Sequence, residues 1–360
     1  MKWSWKLGQV AGINVYVHAT FVLLIGWIGW AYWQEAHRWD AVVSGVGLIL
    51  ALFLCVLLHE FGHALTAKKF GFGTRDITLL PIGGVAHLEQ IPEEPKQELL
   101  VALAGPAVSL AIVLILGLWI ALTTRLQTLD QSSLIQGSFL FRLMAVNLFL
   151  ILFNLIPAFP MDGGRVLRAL LAMRWSRLKA TRMAATLGQS LAIVFGIIGL
   201  FGNPFLILIA VFVWIGAAQE ASMAVMQFAF HGVPVSRAMF TDFQVLTPDD
   251  LLSRPVELMQ RSPQHNFPVV ENGDVVGLLT ASDLLTALAN QKLEVPVKQV
   301  MRHTFVTAEA SDSLENVFKR IQNSDSKIFL VTEHGNLAGL ITPESLGEFL
   351  TVQAALGKKI

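Results

Sequence analysis

The chain of 360 residues is 54% hydrophobic and 14% charged, with a mean hydropathy of +0.59. Charge near a quarter of residues is usual for a soluble domain, so these side chains cannot keep a whole surface wet, and a disordered chain is excluded. The balance of 26 basic against 26 acidic residues disfavours a nucleic-acid binder, and the single Cys55 rules out a disulfide framework. Before Ala11 only Lys2 and Lys6 are charged, and the apolar stretch that follows is too long for a signal core, so no cleavable leader is expected.

Charge is unevenly placed: 26 charged residues lie in 1–230 and 26 in the 130 residues from His231, about 11% against about 20%. Two materials join near residue 230. The first reads as a polytopic α-helical membrane domain, because about 20 apolar residues are needed to cross a bilayer as a helix. Six spans are predicted: Val17 to Tyr32, with Trp27, Trp30 and Trp33 suited to a headgroup interface; Ala41 to Ala67; Leu99 to Thr124; Phe139 to Ile156; and two within the uncharged run Met183 to Gln219, which Gly202-Asn203-Pro204 folds into a hairpin. Between the second and third, Leu80-Pro-Ile-Gly83-Gly84-Val-Ala-His87-Leu88 is too short to cross. It reads as a re-entrant hairpin lining a cavity or as an interfacial loop. Gly105-Pro106 in the third span reads as a kink or a packing point.

With six crossings both ends share one side. That side collects Lys2, Lys6, Lys68, Lys69, Arg75, Lys96, Arg165, Arg168, Arg174, Arg177, Lys179 and Arg182, against Arg38, Arg125 and Arg142 on the other. Both termini, and the tail with them, are therefore expected in the cytoplasm, with the helices in the plasma membrane.

The tail is a duplication. Val233-Pro-Val-Ser-Arg-Ala-Met239 aligns with Val295-Pro-Val-Lys-Gln-Val-Met301, and Gly277-Leu-Leu-Thr-Ala-Ser-Asp-Leu284 with Gly339-Leu-Ile-Thr-Pro-Glu-Ser-Leu346, both offset by 62 residues. Each copy, 231–292 and 293–360, predicts a helix, a strand, a tight turn, a second strand and a closing helix. Such a unit is too thin to stand alone, so the copies are expected to pack together.

The second span carries His59-Glu60-Phe61-Gly62-His63. Residues i and i+4 share a helix face, so both imidazoles can reach one metal while Glu60 beside them can take a proton from water held there. The string arises by chance in about one chain in a hundred of this length. Ionisable groups in a span cost ~3 kcal/mol each and are functional by default, which weighs against histidines that merely face polar neighbours. A catalytic zinc takes three protein ligands, and Asp162 is the best third. It lies in Asn154-Leu-Ile-Pro157-Ala-Phe-Pro160-Met-Asp162-Gly163-Gly164-Arg165, at the same side as His59, where the prolines interrupt a helix and the glycines permit unusual backbone. The other reading of Asp162 is an interfacial turn residue beside Arg165 and Arg168.

Together these two motifs resemble the site-2 protease family of intramembrane zinc metalloproteases over about residues 10–230, with no departure in either motif. The resemblance implies one zinc per chain held by His59, His63 and Asp162, Glu60 as general base or acid, and hydrolysis of a peptide bond in or near a transmembrane segment of a membrane-anchored protein. It also implies that Gly83-Gly84 offers a strand edge to substrate and that Asn154 hydrogen-bonds its backbone, although Asn154 could equally cap a broken helix. His87 reads as an interfacial hydrogen-bonding residue in preference to a ligand.

The duplicated tail resembles a tandem cystathionine-β-synthase-type (CBS) pair over about residues 231–352. That family implies an adenine nucleotide (ATP, ADP or AMP) at Thr280 and Asp283, whereas Ser345 replaces the acid in the second copy. Asp283 could equally cap the helix it precedes, and a ligand-free docking or homodimerising module is the competing reading. A transporter or channel with a regulatory tail, or a non-catalytic membrane scaffold, are the alternatives for the whole chain. The transporter would not need Glu60 between two helical histidines.

Overall fold

The computed structural model describes residues 3–81, 83–88, 92–123, 139–290, 293–323 and 327–355. Arg125 and the end of the expected third span at Thr124 lie outside the described residues. By contacts the chain forms two compact units, Met1–Ala224 and Val225–Ile360.

The first unit opens with two strands, β1 (Ser4–Val10) and β2 (Ile13–His18), before any helix. In β2, Ile13, Val15 and Val17 point into a core while Asn14, Tyr16 and His18 alternate outward, the period of a half-buried strand. Reading residues from Val17 as membrane span merged this alternation with the apolar run behind it. The helix α1 begins at Ala19 and ends at Ala36, with His18 accepting from the Thr20 amide as its cap. Next come α2 (Trp39–Lys69), β3 (Thr74–Leu80), β4 (Gly83–Leu88), α3 (Pro95–Thr123) and α4 (Phe139–Asn154). The unit continues with α5 (Asp162–Ala172) and α6 (Arg177–Phe201), and α7 (Phe205–Phe230) runs on across the division between the units.

Among the described residues four helices, α2, α3, α6 and α7, are long and apolar enough to cross a membrane, while α4 is a shorter apolar helix of 16 residues. The hairpin expected over Met183 to Gln219 is α6 and α7, turning at 202–204. Each end of α2 is marked by charge: Asp40 in its first turn pairs with Arg38 at 2.6 Å, and Lys68 and Lys69 sit in its last, both signs matching the helix dipole.

The strands form one sheet in the order β1-β2-β3-β4. The β2–β3 pairing is parallel, with α1 and α2 as the crossover, and the other two are antiparallel. Gly83–Leu88, expected as part of a hairpin or a loop, is thus a strand paired antiparallel with β3 at the end of the sheet. Ile13, Val15 and Ile77 pack on Phe61 and Ala64, so the sheet is bolted to the histidine-bearing end of α2.

Asp162 is the first residue of a helix the sequence reading did not foresee. Gly163 and Gly164 are helical, so their value is room and not unusual backbone. A Cβ on Gly163 would collide with the backbone of Leu155 and Ile156, and one on Gly164 would sit 2.6 Å from Ala158 C. The two glycines let α5 start flush against the loop that precedes it.

The second unit keeps the 62-residue offset in its pairing. In the first copy α8 (Ser253–Arg261), β5 (Phe267–Glu271), β6 (Asp274–Leu279) and α9 (Ala281–Ala289) follow one another. In the second, β7 (Val306–Glu309) precedes α10 (Leu314–Asn323), β8 (Phe329–Glu333), β9 (Asn336–Ile341) and α11 (Pro343–Ala355). Phe267 pairs with Leu279 as Phe329 does with Ile341, and a bulge follows Val269 as one follows Val331. The copies also exchange their leading segments: Arg302 bonds Leu278 of the first hairpin, and Phe240 bonds Leu340 of the second. Met301 packs where Gly277 lacks a side chain, and Met239 where Gly339 does. By this reciprocal plugging the two thin copies pack together.

Candidate metal centre

His59 and His63 lie one turn apart on α2, buried to 3% and 4% exposure, and Asp162 at the head of α5 is 8% exposed. Their ligand atoms converge. His59 Nε2 and His63 Nε2 are 3.1 Å apart, and each is 3.1 Å from Asp162 Oδ2. Among the described residues they form the one group of three or more His, Cys, Asp and Glu side chains that could hold a metal ion.

The donor chemistry fits a cation. His63 Nδ1 donates to the Val101 carbonyl at 2.7 Å, which leaves the Nε2 lone pair facing Asp162. His59 Nδ1 meets Ser109 Oγ at 2.9 Å, an arrangement that fixes the same tautomer when the hydroxyl accepts. Three acceptor atoms turned on one point repel each other unless a positive charge stands among them. Tetrahedral zinc with bonds of ~2.0–2.1 Å separates neighbouring ligand atoms by about 3.3–3.4 Å, close to the spacing found.

Two close approaches shape the surroundings. At Gly105 on α3 an added Cβ would strike the Nε2 atoms of both histidines, so the residue read as a kink or packing point is where α3 closes the back of the centre. At Gly84 on β4 an added Cβ would lie 2.7 Å from Glu60 Cγ, so the outer strand rests against the carboxylate side chain. Gly83 has φ of 137°, which favours glycine, and opens that strand. Asn154 is the last residue of α4 and half-buried. His87 stands apart, its Nδ1 2.8 Å from Asp76 Oδ1 across the β3–β4 pair.

Sequence reasoning missed the groups that orient the ligands. Ser109 offered one faint signal, a hydroxyl in an otherwise uncharged span, and the Val101 carbonyl offered none. Arg168 was likewise not foreseen as part of the interior. Counted in the sequence only as one of the basic residues on the side of His59, it is 3% exposed and gives Nε to Glu98 at 2.7 Å and Nη1 to Glu220 at 2.8 Å.

In the tail, Thr280 is the N-cap of α9: its Oγ1 accepts from the Asp283 amide at 3.3 Å and donates to Asp283 Oδ2 at 2.6 Å. Asp283 itself is held at both oxygens by Arg302, at 2.7 and 2.9 Å. Burial pushes its carboxyl up, but the bonds from Arg302 and Thr280 outweigh this and hold it below the usual range. The second copy repeats the cap without the acid, with Thr342 and Ser345 bonded reciprocally.

Residues 47–133 and 120–198 match Peptidase family M50, and residues 235–290 and 297–350 each match the CBS domain. A zinc metalloprotease of Methanocaldococcus jannaschii is 35% identical over 95% of this chain and 94% of its own. A Synechocystis chain whose name marks it as a candidate zinc metalloprotease is 31% identical over 97% and 96%. A solved site-2 protease from M. jannaschii is similar at 39% identity, covering 61% of this chain and 95% of that one, with a TM-score of 0.45.

Proposed function

The chain belongs to peptidase family M50, and we propose that it is an intramembrane zinc endopeptidase of the site-2 type, acting within or near a transmembrane segment of a membrane-anchored protein. The observation that carries the reading is the convergence of His59, His63 and Asp162 on one buried point. These three would hold one zinc, which when bound polarises the scissile carbonyl and lowers the pKa of its water toward ~7. Glu60 takes the proton from the attacking water and returns it to the amide nitrogen as the C–N bond breaks, leaving a carboxylate and an amine.

Substrate must arrive extended, because the backbone of a helix is hydrogen-bonded to itself and closed to attack. Strand β4 lies at the end of its sheet, and Gly84 places it against Glu60, so a segment added along its outer edge would lie beside the reacting groups. Gly83, Gly84 and Asn154 are the substrate-binding residues on this reading. The excess of basic residues on the side of His59 supports a multi-pass protein of the plasma membrane with both termini, and the CBS pair, in the cytoplasm.

The CBS pair is read as an adenine-nucleotide sensor that modulates cleavage, through Thr280 and Asp283. The second reading, a docking or homodimerising tail without ligand, is favoured by the engagement of both Asp283 oxygens by Arg302 and by a cap that already accounts for Thr280.

The test of the protease reading is Glu60→Gln in the full chain. It is expected to retain one zinc per chain while cleavage of a model transmembrane substrate falls about 10²–10⁴-fold. His59→Ala is expected to lose the metal. Full activity in Glu60→Gln, or cleavage that survives zinc removal, refutes the assignment.

A further inference from the structure

Zinc sites depend on what aims their ligands, and here the ligands come from two elements with unequal support. The imidazoles are aimed by α3, through the Val101 carbonyl and Ser109, on a helix of 29 residues. Asp162 begins a helix of only 11 residues whose N-cap, Met161, makes no side-chain bond to it. An isolated helix of that length is marginal, so something outside it must set where it points.

Arg168 supplies the tie. It sits on α5 six residues beyond Asp162, and its guanidinium reaches three other places at once. It bonds Glu98 on α3, one turn before Val101; it bonds Glu220 on α7; and it lies 5.0 Å above the ring of the fully buried Phe159, in the loop leading to Asp162. Two directed N–H bonds to two carboxylates from a planar fork fix orientation as well as distance, which an ammonium cannot do.

We propose that Arg168 is a positioning residue for the metal centre: by registering α5 against the helix that aims His63, it holds Asp162 at the third ligand position. This rests on the reading of His59, His63 and Asp162 as the zinc site. It extends that site to a charged group that touches neither the metal nor the substrate.

The experiment measures zinc affinity of the full-length protein in detergent by competition with a chromophoric chelator, with the visible spectrum of the cobalt-substituted protein as a reporter of the ligand set. Melting temperature serves as the control for folding. Wild type is expected to bind one ion, and Arg168→Met, folded, to bind it about 10–100-fold more weakly with an altered cobalt spectrum. Arg168→Lys, which keeps the charge and loses the fork, is expected to recover part of the affinity. If Arg168→Met does not fold, Arg168→Lys decides: weakened binding at a near-normal melting temperature supports the proposal. Wild-type affinity with an unchanged spectrum in a folded variant overturns it. Failure of the wild type itself to bind zinc would instead overturn the assignment of the ligands.

Discussion

Gly105 cannot be replaced without moving a ligand, because the volume its side chain would fill is already occupied by the Nε2 atoms of His59 and His63. Gly105→Ala should therefore reduce zinc affinity about 10–100-fold, measured by chelator competition, through displaced imidazoles and not through lost bonds. Ser109→Ala works differently. It leaves the imidazole its space but removes the hydroxyl that fixes its tautomer, and about a tenfold loss of zinc affinity is expected in the same assay. The meeting of His59, His63 and Asp162 was legible in the sequence, since two imidazoles on one face of a helix and an acid at a broken one are chosen by type and spacing. Their supports were not. A carbonyl such as that of Val101 has no residue identity, and Gly105 announces room without saying for what.

Asp162 is carried by a short element, and short elements are where sequence and structure part. The run Pro157 to Gly164 reads as a break in a helix with unusual backbone at its glycines, yet it is a close-packed seam between the loop and α5. Gly164→Ala tests that seam: a Cβ 2.6 Å from Ala158 C forces the helix off the loop, at a cost of about 1–3 kcal/mol for overpacking. A lowered melting temperature together with weakened zinc binding is expected, whereas unchanged values in both would show that the helix start is slack. Strands were hidden for a related reason. In a chain so apolar, the alternation of Ile13, Val15 and Val17 runs straight into α1, and contrast, the signal that marks a strand, is lost. The long spans needed no contrast, only length, and the tail was readable because every feature appeared twice. Its exchange of leading segments was not, since a repeat shows that units match without showing which one holds which.

For the whole molecule, the question is whether the CBS pair can act on a protease. Any nucleotide that uses Asp283 must first take it from Arg302, and a largely exposed ion pair resists by about 0.2–1 kcal/mol, a factor of up to about five in affinity. Arg302→Met should thus tighten ATP or AMP binding by no more than about fivefold, measured by titration calorimetry on the full chain. The sign of the pH dependence follows from the depressed carboxyl: the pair contributes above the unfolded value of ~3.9 and is lost as pH falls through the lower folded one. Between about pH 5 and 8 the gain in affinity should be flat, so a gain that varied across that range would implicate a different group. Control of cleavage asks for more than binding. A nucleotide bound equally by open and closed forms shifts nothing, however tightly it is held, so wild type at saturating nucleotide must cleave a model substrate at a changed rate. An unchanged rate in wild type and Arg302→Met alike would leave the tail as a docking module, with Arg302, Asp283 and Thr280 serving to cap α9 and join the two copies.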